Sequence, residues 1–176
     1  MAVMGPMVPV FDRDSFAPAG GHIRAASFFD DAGIERQRHE IWLYNGTGAA
    51  LVAGEPMVLR YDGDGDVNPA VAVCTESPVG VTEYVVVPLN ATAIAGWDWF
   101  AIRGYTEAFV NGDTTNVAKD DWLKMDVTVD ADAFIEDTTT RTPNSAAIYS
   151  DDTAEEDATP SLRLVYLLGT PVPITA

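Results

Sequence analysis

From Arg36 the chain alternates: Arg36, Arg38, Glu40, Trp42 and Tyr44 fall on one side, and Gln37, His39, Ile41 and Leu43 on the other, up to Asn45-Gly46. A period of two is that of a strand, whose successive side chains leave the pleated backbone on opposite faces. A strand followed by a turn is predicted here. Apolar runs at Leu51–Leu59, Ala70–Cys74, Val79–Val81 and Tyr84–Val87 follow, with the Gly/Asp-rich Asp62-Gly63-Asp64-Gly65-Asp66 between the first two. Trp97–Arg103 alternates again, with Trp97, Trp99, Ala101 and Arg103 opposite Phe100 and Ile102. Glu107–Val110 and Thr114–Val117 flank Asn111-Gly112, a pair that favours the positive φ of a two-residue hairpin turn. Val127–Val129 is a further short strand, Asp151–Asp157 an acidic loop, and Leu162–Leu168 a last strong strand. Asp30–Gln37 has room for a turn or two of helix, but no long amphipathic helix is encoded. The class is all-β, a compact barrel or sandwich.

The two ends lack any period. Residues 1–21 hold Pro6, Pro9, Pro18, Gly20 and Gly21, spaced by Met7, Phe11 and Phe16. They read as an extended N-terminal arm whose apolar side chains need another surface to cover them. Residues 22–169 form the β-barrel body, and residues 170–176, with Pro171-Val172-Pro173-Ile174, a short C-terminal arm. Within the body, Val52-Ala53-Gly54-Glu55-Pro56-Met57-Val58 and Val117-Ala118-Lys119-Asp120-Asp121-Trp122-Leu123 share an apolar pair, a turn with an acid and a following apolar strand. This echo predicts one structural corner used twice.

Charge narrows the partners. The formal net charge is −17, from 27 acidic and 10 basic residues, and such a surface repels phosphate backbones. Residues 1–50 carry 6 acids and 4 bases, a net of −2, which leaves 21 acids and 6 bases, a net of −15, for the rest. This asymmetry suits an N-terminal part that docks while the remainder faces water; the alternative is that the charge serves solubility alone. The 47% hydrophobic share is that of a folded domain. The start has no basic n-region and Pro6 and Pro9 cut its apolar stretch, so it is not a secretory signal. No run approaches the ~18 apolar residues of a membrane span. A soluble product made in the cytoplasm, without nucleic-acid or membrane partners, is expected.

No enzyme chemistry stands out. G-x-x-x-x-G-K-[ST], G-x-G-x-x-G and G-x-S-x-G are all absent from the sequence, which excludes the familiar phosphate loops and the nucleophile elbow. His22 lies next to the arm and His39 in a strand, and both read as structural. Cys74 is the single cysteine, a small apolar strand residue that excludes both a disulfide and a cysteine zinc cluster. Asp62, Asp64 and Asp66 have the alternation of a calcium loop, but Val67 stands where the sharp bend needs glycine and Val73 where a bidentate Glu belongs, so an Asp/Gly turn is the better reading. Trp42, Trp97, Trp99, Trp122 and Tyr105 could stack sugars, although their alternating placement favours packing. No catalytic residue, metal ligand or cofactor is expected.

The stretch Gly96-Trp97-Asp98-Trp99-Phe100-Ala101-Ile102-Arg103-Gly104-Tyr105, continued by Val110-Asn111-Gly112-Asp113 and Val117-Ala118-Lys119-Asp120-Asp121-Trp122-Leu123-Lys124, resembles the capsid decoration (cement) proteins of tailed bacteriophages. Their pattern is a tryptophan-led strand ending in glycine, a hairpin turn and a V-A-x-G-D-x-L-like corner. Asn45-Gly46-Thr47-Gly48 through Val58 and Val165–Gly169 are similar to them as well, so the likeness covers about half the chain. Lys119, where glycine is usual, and the acidic insert near Asp151 depart from the pattern. The resemblance implies a non-enzymatic virion protein, a β-barrel that forms homotrimers on the outer capsid surface and bridges subunits of the major capsid protein. Met7, Phe11, Phe16, Pro171 and Ile174 are then the candidate contacts. A receptor- or glycan-binding module of a phage fibre or adhesin is the alternative.

Overall fold

The computed structural model describes residues 22–61, 72–75, 82–112, 116–125, 133–138, 140–157 and 159–173. The N-terminal arm, the Asp62–Asp66 turn, the runs at Val79–Val81 and Val127–Val129, and Ile174 lie outside them. The described residues hold eleven strands and no helix: β1 (Ile23–Phe29), β2 (Glu35–Asn45), β3 (Met57–Tyr61), β4 (Ala72–Thr75), β5 (Thr82–Pro88), β6 (Trp97–Val110), β7 (Trp122–Met125), β8 (Phe134–Thr138), β9 (Ala147–Tyr149), β10 (Ser161–Leu167) and β11 (Val172–Pro173). The protein is all-β and compact.

Asp30–Gln37, where a helical turn had room, is instead the bend and first residues of a β1–β2 hairpin. The Asp30 carboxylate accepts the Ile34 N–H at 2.8 Å, and the Asp30 carbonyl accepts the Gly33 N–H at 2.8 Å. The period of two that begins at Glu35 then carries the chain back along β1.

The strands close two rings. β2 pairs parallel with β4, β4 antiparallel with β3, β3 with β5, β5 with β6, and β6 with β2. A second ring repeats every pairing: β6 with β8 in parallel, β8 with β7, β7 with β9, β9 with β10, and β10 with β6. The architecture is therefore two small five-stranded barrels that share the 14-residue β6. Closure removes sheet edges from both. Ile41, Leu43, Leu51, Met57, Leu59, Val86 and Phe100 fill the first ring. Val58, Val85 and Val87, on the opposite face of the same strands, join Leu123, Phe134, Tyr149 and Leu167 in the second cluster. That explains the unbroken Val85-Val86-Val87 run, because a strand buried on both faces has no polar side.

The sequence echo is a real corner, displaced by one residue from a match of Val52 with Val117. Leu51 bridges Thr92 and Val117 bridges Glu155. The Glu55 carboxylate accepts the Val52 N–H at 2.8 Å, and the Asp121 carboxylate accepts the Ala118 N–H at 2.7 Å. Gly54 (φ 94°) and Asp120 (φ 73°) both take the left-handed conformation at the bend. The equivalence is thus Leu51 with Val117, Gly54 with Asp120, and Glu55 with Asp121, and each corner feeds the strand (β3 or β7) that crosses its ring.

Two expectations are corrected at β6. Trp97–Arg103 and Glu107–Val110 are a single strand, because Gly104 (φ 90°) lets the chain bend from β2 to β10 without stopping. A Cβ there would lie 2.6 Å from the Gln37 carbonyl oxygen. Asn111-Gly112 is not a hairpin turn. Both residues are buried, and Gly112 does not have positive φ. The Asn111 N–H donates to the Phe134 carbonyl at 2.8 Å and the Gly112 N–H to the Asp157 carbonyl at 3.0 Å, while Val117 exchanges hydrogen bonds with Glu155. Long-range pairing overrides the local turn preference. At the C-terminal end, Val172–Pro173 of the expected arm forms β11 against Glu83 and Thr82, with Val172 only 2% exposed. Burial of this valine side chain is worth about 1.5–3 kcal/mol, which fixes the segment to the body.

Candidate functional site

One face of β2 and β6 carries a cluster of aromatic and charged side chains. The rings of Trp42 and Trp97 stack 6.5 Å apart at 14°, Trp42 and Trp99 lie 5.2 Å apart, and Tyr44 and Trp97 5.4 Å apart. The Arg24 guanidinium sits 3.9 Å from the Trp99 ring centroid. It also pairs with Glu40 at 2.6 Å, and Arg38 reaches the other oxygen of the same carboxylate at 2.7 Å. Glu40 is 2% exposed, so the two guanidiniums supply the partners that a buried carboxylate requires. Trp42 Nε1 is buried with no hydrogen-bond partner among the described residues. Arg38 further lies 4.5 Å from the Phe28 ring. This face locks the β1–β2 hairpin onto β6; it is built from alternation, but the Glu40 pairing to an arginine on another strand left no local trace in the sequence.

The five aromatics that could stack sugars fall into three separate sets of contacts. Ring contacts group Trp42, Trp97 and Trp99 with Tyr44; Tyr105 pairs edge-on with Tyr166 at 5.0 Å beneath Arg36, 4.7 Å away; and Trp122 stands with Arg141 at 5.8 Å. In the first group Trp42 is buried and Arg24 occupies a face of Trp99.

The second polar constellation is a clasp around Glu155, which is fully buried. Its carboxylate accepts from the Ser161 hydroxyl, from Arg163 Nε at 2.5 Å and from the Asp157 N–H at 3.1 Å. Burial pushes this carboxyl upward, but the donated hydrogen bonds outweigh it and hold it below the usual range. Next to it the Tyr149 hydroxyl is pushed up to about 12, by burial first and then by the Asp151 charge. It stays protonated and donates to the Thr153 carbonyl. At the hairpin bend, the Ile34 N–H and then Arg36 hold Asp30 below the ordinary carboxylate range; Arg36 Nε lies 2.8 Å from it.

A groove of about 250 Å³ runs between this bend and the Ser150–Asp152 loop, with Asp30, Asp31, Asp151 and Asp152 against Arg36 and Arg163. A depression of about 420 Å³ is lined by Arg141, Thr142, Pro143, Thr170 and Pro171. Among the described residues no three His, Cys, Asp or Glu side chains are grouped to hold a metal ion, and Asp62, Asp64 and Asp66 lie outside them. His22 and His39 are both exposed, the latter on the outer face of the hairpin. Of the candidate contacts, Met7, Phe11, Phe16 and Ile174 lie outside the described residues; Pro171 is exposed beside β11.

Among the described residues, the β1–β2 hairpin holds three of the six exposed large apolar side chains. Ile23 is 61% and Phe29 71% exposed, with Ile34 at the bend also exposed. No protein-family model matches the chain, and none of the curated proteins matches it.

Proposed function

We propose that this chain is a structural, non-enzymatic protein of a tailed-phage head, one that binds the outer surface of the capsid and stabilises it by bridging subunits of the major capsid protein. The observation that carries the reading is the resemblance of Trp97–Lys124 to decoration proteins. In this molecule that stretch runs through β6, the strand common to both rings, and through the second corner. Two further features support it. The body is acidic, with the negative charge concentrated after residue 50, as suits a surface facing water. The near-neutral N-terminal segment joins the body at the hairpin that exposes Ile23, Phe29 and Ile34. Met7, Phe11, Phe16, Pro171 and Ile174 are the proposed shell contacts, and many weak contacts of this kind add up when copies are arrayed on one particle.

Deletion of residues 1–20 tests the reading directly. The truncated chain is expected to remain folded, with unchanged circular dichroism and thermal midpoint, and to lose binding to purified shells. Full occupancy by the truncated chain overturns the arm contact. Quantitative mass spectrometry of purified particles tests the role itself: near parity with the major shell protein supports a coat, whereas a handful of copies points to a fibre or adhesin.

A further inference from the structure

Among the described residues the hairpin strand β1 has one unpaired edge, and its geometry is fixed by two backbone bonds. The Trp42 N–H donates to the His22 carbonyl at 2.9 Å, and the Asp30 N–H donates to the Ile34 carbonyl at 3.0 Å. The intervening register pairs residue 24 with 40, 26 with 38 and 28 with 36. In an antiparallel ladder alternate residues bond to the same neighbour, so the even positions of β1 face β2. The odd positions, Ile23, Ala25, Ser27 and Phe29, aim their N–H and C=O groups away from the barrel. Their side chains form the exposed face of the strand.

The repeat shows that the equivalent strands take an antiparallel neighbour. Each ring contains one three-strand antiparallel run: β3 pairs with β5, which pairs with β6, and β7 pairs with β9, which pairs with β10. β1 stands to β2 as β5 stands to β6, and its far edge has no strand among the described residues. We propose that the missing strand is β1 of a second copy, paired antiparallel about a two-fold axis at Ala26.

The sequence of β1 suits that partner. The two-fold places Ile23 opposite Phe29 of the second copy and Ala25 opposite its Ser27, so no charge meets charge on the outer face. On the inner face Arg24 lies opposite Phe28 of the second copy. Isologous contacts need this self-complementarity, and apolar cross-strand pairs each add about 0.2–1 kcal/mol. β1 also lacks the lysine, proline or bulge with which an edge is ordinarily protected from pairing. A two-strand contact buries less than the ~1,200 Å² of a stable interface, so the dimer is weak in dilute solution and strengthens where copies are held side by side. This contact stands whether or not the protein coats a shell.

Sedimentation of the full chain from micromolar to millimolar concentration tests it, alongside Ser27→Pro and Ser27→Lys. The proline removes an outward N–H and leaves the β2 ladder intact; the lysine keeps the backbone and only charges the exposed face. A reversible dimer is expected, weakened at least tenfold by either variant. In a Cys74→Ala background, Ala26→Cys is expected to oxidise to a disulfide-linked dimer, since the axis sets the two residues opposite each other. A chain that stays monomeric at millimolar concentration overturns the proposal, as does self-association unaffected by both folded variants. Dimerisation that appears only after removal of residues 1–20 would show that the chain's own arm covers the edge, and overturns it equally.

Discussion

Glu155 sits where the first ring has Thr92, the residue that bridges back to the corner. A threonine there satisfies itself within its own loop, its hydroxyl donating to the Asn90 carbonyl at 3.2 Å. A buried carboxylate cannot, and it recruits Ser161, the Asp157 N–H and Arg163, tying the acidic 151–157 segment to the start of β10. Removal of the carboxylate strands a guanidinium that is three-quarters covered, and breaking such a pair costs about 3 kcal/mol, the low end for buried pairs because Arg163 keeps some water. Glu155→Ala is expected to lose that much in urea unfolding at neutral pH. The carboxyl is held below its usual 4.5 in the folded state, so the unfolded chain binds the proton more readily. This contribution is fully present above about pH 4.5 and disappears as the pH falls through the folded value. Glu155→Gln is expected to flatten that acidic limb, and parallel urea titrations of both chains between neutral pH and about pH 3 measure it.

At the scale of elements, the two corners offer a matched comparison. Gly54 and Asp120 occupy equivalent bends with the same left-handed backbone, a conformation that costs a residue with a Cβ about 1 kcal/mol. Asp120→Gly is expected to raise stability by about 0.5–1 kcal/mol. Gly54→Ala is expected to lower it by about 1 kcal/mol, the backbone cost alone, because the half-exposed end of Leu162 that its Cβ would meet can turn aside. Shifts of the same sign at both sites would break the proposed equivalence, and thermal midpoints of the two variants decide it. Much of the element map was legible because it is local: the alternation of Arg36–Tyr44, the tryptophan strand and Leu162–Leu168 each appear as β2, β6 and β10. The duplicated corner was legible too, but shifted by one residue, since Val52 and Val117 look alike while only the bridges reveal that Leu51 matches Val117. Asn111-Gly112 misled because its turn preference is weaker than the ladder to Phe134 and Asp157. The sharing of β6 between rings had no local signature: β2 meets β6 across some sixty positions of chain. The same holds for Glu40, whose partner Arg24 lies on another strand.

At the scale of the whole molecule, charge and shape set opposing demands. Each copy carries −17, so any two copies repel before they touch, and the contact that forms must be one where the repulsion is least. β1 holds one basic and no acidic residue, and its outward face is uncharged; it meets that condition. The pairing itself is backbone hydrogen bonding and apolar packing, which salt weakens little, whereas the repulsion between the bodies is long-ranged and screened. Raising the salt from about 0.02 M to about 0.5 M shortens the screening length from roughly 20 Å to roughly 4 Å. Self-association is therefore expected to tighten several-fold over that range, measured as the shift of the sedimentation isotherm. A contact driven by ion pairs between copies would respond the other way, dissociating as salt rises. The sign of the salt dependence thus separates an edge-to-edge strand contact from an interface built on the arginines of the hairpin, which in the free chain are already committed to Asp30 and Glu40.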